Sequence, residues 1–73
     1  MDSSVLRDLL AGTERRLVEM DQTIERQREI LANREESGHD VSQERGLLNE
    51  LERLRQLIRA SRDRLLADVR QQQ

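Results

Sequence analysis

Cysteine, proline, phenylalanine, tyrosine, tryptophan and lysine are all missing from this chain of 73 residues, and each gap closes off some structure or chemistry. Without cysteine there is no disulfide framework and no thiolate metal site, and with His39 as the one imidazole a histidine zinc site is excluded too. Phe, Tyr and Trp, the rings on which proteins most often stack a nucleobase, are absent. The formal charge of -2 argues against general affinity for nucleic acid or an acidic membrane. Apolar runs are no longer than Leu9-Leu10-Ala11, too short for a transmembrane helix, and Asp2 stands where myristoylation needs glycine. A soluble, cytoplasmic protein is the expectation. What remains is 38% charged residues with leucine as the main apolar type, the composition of long helices or coiled coils. A domain this small is only marginally stable alone, and with disulfides and metals excluded, oligomerisation is the remaining staple.

The helical pattern breaks at Ser37-Gly38-His39-Asp40. Gly38 suits the residue just past a helix end, where positive φ is required. Asp40 suits the cap of a following helix, and Gln43 stands where it can reach back as in a capping box. The spacing predicts a single hairpin over 1–73: helix one about 4–36 with Ser3 or Ser4 as its cap, a turn at 37–40, helix two about 41–69, and a fraying tail at 70–73. So short a connection makes the two helices antiparallel neighbours. Gly12 marks a possible kink in helix one, and Gly46 a place for another helix to approach closely.

Both segments carry heptads. In helix one, Leu10, Leu17, Ile24 and Leu31 occupy position a, and Leu6, Thr13, Met20, Gln27 and Arg34 position d. In helix two, Glu44, Leu51, Ile58 and Leu65 occupy a, and Leu47, Leu54, Ser61 and Asp68 occupy d. A fold about His39 pairs residues whose numbers sum to about 78, and every a then meets a d. The layers run from Arg34 with Glu44 and Leu31 with Leu47 to Leu10 with Asp68, with best packing expected from Leu31 to Met20 and fraying at the open end. On the e flank, Glu14 should meet Arg62 and Asp21 should meet Arg55. On the g flank Arg16 meets Arg64, a like-charge conflict that the hairpin alone does not explain.

Apolar residues also lie outside a and d: Leu9, Ile30 and Leu57 at g, and Val41, Leu48 and Val69 at e. A two-stranded seam leaves these bare, whereas a bundle covers them. The fold class expected is therefore all-α, an antiparallel coiled-coil-like hairpin that dimerises into a four-helix bundle, with those six residues as interface candidates.

Chemistry is harder to find. The His39 and Asp40 pair lacks the cleft and third group that acid-base catalysis needs. A di-iron bundle needs Glu-x-x-His motifs, and there are none. Arg53, Arg55, Arg59, Arg62 and Arg64 form the most basic segment and a candidate polyanion surface. Glu14, Glu19, Asp21 and Glu25 on the facing helix make a solvated, ion-paired face the favoured reading. Gln27 at d either restricts register or sits at the seam edge reaching water.

The stretch Gln27-Arg28-Glu29-Ile30, the turn Gly38-His39-Asp40 and the closing Arg62-Asp63-Arg64-Leu65 resemble a group of small uncharacterised alphaproteobacterial helical-hairpin proteins. The resemblance implies a bacterial, stand-alone hairpin and carries no activity with it. The expectation is a non-enzymatic structural or protein-interaction module without cofactor, acting as a homodimer toward an unidentified protein. The alternative is a small RNA-binding dimer using the arginine-rich segment.

Overall fold

The computed structural model describes residues 2–72 and consists of two helices, α1 (Ser3–Glu36) and α2 (Ser42–Gln71), folded back on each other as an antiparallel hairpin. The rod measures 55 × 15 × 13 Å. α1 runs unbroken through Gly12, and α2 continues past the expected end at 69 to Gln71, where the Gln72 N–H donates to the Val69 carbonyl at 3.1 Å. The tail's last residue, Gln73, lies outside the described residues.

The turn is built from backbone hydrogen bonds. Gly38 takes φ +79°, its N–H donates to the Glu35 carbonyl at 3.0 Å, and the His39 N–H donates to the Arg34 carbonyl at 3.0 Å. This is the Schellman pattern, which satisfies carbonyls that the last turn of α1 would leave orphaned. An aspartate precedes each helix, as the N-cap of α1 and one residue before the N-cap Val41 of α2. Asp2 Oδ1 accepts from the Ser4 N–H at 3.1 Å, and Asp40 Oδ1 accepts from the Ser42 N–H at 3.0 Å and the Ser42 hydroxyl at 2.7 Å. Two details differ from the sequence expectation. Asp2, not Ser3 or Ser4, caps α1, and Val41, not Asp40, is the N-cap of α2: Asp40 sits one residue earlier, bonded to Ser42, and Gln43 makes no return contact.

Register agrees with a fold about His39. The Arg34 Nε lies 3.3 Å from Glu44 Oε1 beside the turn, and the pairs Glu35 with Arg45, Arg28 with Glu52 and Asp21 with Arg55 follow along the rod. Rotation does not agree. On α1 the expected a and d positions from Leu6 to Leu31 are buried or half-buried, with Leu6, Thr13, Leu17 and Ile24 buried, whereas Arg34 is exposed and Gly12 and Thr23 are half-buried outside the stripe. On α2 the seam is made by a and e: Val41, Leu48 and Val69 are buried, with Leu51, Arg55, Ile58, Arg62 and Leu65 half-buried, whereas Leu47, Leu54 and Asp68 point out. At 100° per residue, moving the seam from a/d to a/e turns α2 by roughly 50° about its axis.

The rotation has a consequence at the open end. Val69 replaces Asp68 in the seam, so Leu6 and Val69 are both buried there, and the packing does not decay away from the turn as expected. Thr13 is buried too, its hydroxyl donating to the Leu9 carbonyl at 2.9 Å. Among the described residues no side chain is fully enclosed.

The glycines and Asp40 each set a stability expectation. A Cβ at Gly12 would meet only the Arg15 guanidinium at an ordinary 3.7 Å, and one at Gly46 would meet nothing within 4 Å. Gly12→Ala should therefore raise stability by about 0.8–1 kcal/mol, whereas Gly38→Ala should lower it by roughly 1–2 kcal/mol because φ stays positive; urea unfolding followed by circular dichroism reads both. The Ser42 hydroxyl and N–H bonds hold the Asp40 carboxyl below its ordinary value of 3.8. A folded-state value below the unfolded one means a contribution that is full above about pH 4 and lost as pH falls through the folded-state pKa. Asp40→Ala should therefore destabilise at pH 7 and match the parent at pH 2, in urea titrations at the two pH values.

Candidate interaction face

The rod has two broad faces of unlike chemistry. One is charged. The α1 e column of Asp21, Arg28 and Glu35 meets Arg55, Glu52 and Arg45 of α2, with the Arg28 Nη2 donating to Glu52 Oε1 at 2.7 Å and the Arg45 Nη2 donating to Glu35 Oε1 at 2.8 Å. Asp21 raises the pKa of the Arg55 guanidinium further, first through the hydrogen bond and then through charge. The aliphatic stem of Arg55 sits in the seam while its head reaches the edge, as long basic side chains commonly do.

The five arginines of the basic segment do not form one surface. Arg55, Arg59 and Arg62 line a single shallow groove, but Glu14 and Asp21 line it with them. The pair expected between Glu14 and Arg62 does not form, because Arg62 donates to its neighbour Asp63 at 2.7 Å. Arg53 lies 3.9 Å from Glu50, and with Arg64 it falls at c and g on other sides of α2. His39 is exposed at the turn. Among the described residues, no group of three or more His, Cys, Asp or Glu could hold a metal ion, and no helix is long and apolar enough to cross a membrane.

The opposite face is apolar. The turn of α2 that draws e inward pushes d outward, leaving Leu47 49% exposed and Leu54 46% exposed, beside Leu57 at 64% and Ile30 of α1 at 45%. A shallow groove on this side is lined by Arg16, Glu19, Met20, Thr23, Leu51 and Ile58. Of the six interface candidates, Leu9, Ile30 and Leu57 are exposed. Val41, Leu48 and Val69 are not: they are spent within the hairpin and have no surface left for a second molecule. Leu47 and Leu54, assigned to the core from the heptad, take their place. The signal that could have found this is the charge column: Arg45 and Glu52 lie at b, and turning α2 brings them to Glu35 and Arg28 at e of α1.

No family model, curated protein or solved structure matches the chain, so function is argued from this geometry.

Leu48→Ala should cost about 2–4 kcal/mol for a side chain only 8% exposed, and the loss should be the same at every protein concentration in denaturant titrations. A loss that disappears on dilution would place Leu48 between molecules rather than within one.

Proposed function

We propose that this protein is a non-enzymatic structural or interaction module that works as a homodimeric helical bundle, with its apolar faces joined and its charged faces turned outward to an unidentified protein partner. The observation that carries this reading is the apolar strip of Ile30, Leu47, Leu54 and Leu57, lying opposite an ion-paired face. Burying a leucine side chain is favourable by roughly 1.5–3 kcal/mol, while exposed ion pairs contribute little. A lone hairpin that forms the pairs leaves these leucines about half exposed. A dimer keeps the pairs and covers the leucines.

The RNA-binding alternative finds less support. Arg55 is held by Asp21 and Arg62 by Asp63, and the groove that gathers Arg55, Arg59 and Arg62 carries carboxylates of its own.

Sedimentation equilibrium at micromolar concentration should give twice the chain mass of 8.6 kDa, and Leu54→Glu with Leu57→Glu should return a helical monomer. A parent chain that is fully helical and monomeric at that concentration overturns the proposal.

A further inference from the structure

We infer that the second copy lies on the apolar face antiparallel to the first, with the two turns at opposite ends and a two-fold axis crossing the middle of both helices. This rests on the homodimer reading above and supplies its geometry.

The area is right for a copy of this size. A compact monomer of 8.6 kDa exposes roughly 4,700 Å², whereas this chain exposes 5607 Å². The excess is roughly 900 Å², close to the roughly 800 Å² that each partner of a standard interface buries. One broad face of a rod 55 Å long and 15 Å wide has about that footprint.

Two face-to-face arrangements obey two-fold symmetry: turns at the same end, with each α1 over the other copy's α2, or turns at opposite ends, with like helices paired antiparallel. Charge separates them. Arg16 and Arg64 both occupy g positions near the open end, and among the described residues neither has a carboxylate within ion-pair distance. Turns at the same end would bring four arginines to one level, a like-charge clash that disfavours that docking. Turns at opposite ends bring Arg64 to the partner's turn-proximal half, where the g position is Glu50. Positions 50 and 64 add to 114, twice 57, so the axis that pairs Glu50 with Arg64 of the partner subunit, once on each side, also sets Leu57 against its own copy.

α1 gives the same axis independently. Its exposed g residues Leu9 and Ile30 cover each other across the dimer when the axis falls between 19 and 20. That level is the midpoint of Ser3–Glu36 and lies opposite 58 and 59 in the hairpin's own register, within two residues of the level that α2 gives. Arg64, one member of the like-charge pair that the single hairpin leaves unexplained, then gains Glu50 of the partner subunit, which within its own hairpin lies 3.9 Å from Arg53.

Two single-cysteine variants at exposed sites test this. Leu57→Cys should oxidise to a covalent dimer in high yield, and spin labels on Glu36→Cys, beside the turn, should sit apart by a distance on the order of the 55 Å rod length. Glu50→Arg should weaken the dimer roughly tenfold, with Arg64→Glu added to it restoring affinity. A dimer whose labels at position 36 lie within about 20 Å, or whose Leu57→Cys variant does not cross-link, overturns the antiparallel arrangement and leaves the homodimer reading standing. A parent chain that stays monomeric at micromolar concentration overturns both.

Discussion

The column of interhelical ion pairs decides how α2 is turned, and nearly everything else about the surface follows from that turn. Asp21, Arg28 and Glu35 alternate in sign along one edge of α1, and Arg55, Glu52 and Arg45 answer them in reverse order along α2. Individually such exposed pairs add little stability. Their strength lies in geometry: three pairs along one edge can be made together only if α2 presents b and e to that edge. Once it does, Val41, Leu48 and Val69 enter the seam and Leu47 and Leu54 leave it. A weak interaction thus selects between two packings of nearly equal hydrophobic gain.

That near-equality explains what was legible in the sequence and what was not. The turn was legible because glycine at positive φ and an aspartate before a helix have local physical signatures: Gly38 takes the first role, and Asp40 bonds Ser42 from one residue before the N-cap Val41. Register was legible because the a positions of α1 repeat over four heptads and the turn fixes where the chain reverses. Rotation of α2 was not. Its a/d stripe offers Leu47, Leu51, Leu54, Ile58 and Leu65, and its a/e stripe offers Val41, Leu48, Leu51, Ile58, Leu65 and Val69. Hydrophobic periodicity cannot choose between stripes so alike, since they share a and differ by one residue on either side. The choice lies in cross-helix charge, which a pattern read within one helix does not contain. The same ambiguity moved the candidate face: half of its expected residues went inward and two expected core leucines came out.

A helix that is apolar on two stripes is also a helix built to be covered twice. α1 covers the a/e stripe of α2; its d and g residues, Leu47, Leu54 and Leu57, have no cover within the chain. Gly46 carries a helix-propensity cost of about 1 kcal/mol relative to alanine, and no other part of this chain approaches it. Glu44 makes a similar point at the turn, where its Oε1 faces Arg34 while its Oε2 is buried without a partner. On the homodimer reading proposed above, a second copy would supply the cover that Leu47, Leu54 and Leu57 lack.

Stability and association are then one quantity. A two-layer hairpin with no fully enclosed side chain among the described residues has little margin of its own, and whatever binds the apolar face adds free energy that rises with the logarithm of its concentration. Such a chain is folded best where it is assembled, so assembly state and folded fraction rise and fall together. The outward face is insulated from that coupling. Its charges are paired within the hairpin, so it keeps the same pattern whether or not the apolar side is occupied, and it is the surface that an assembled bundle would present twice.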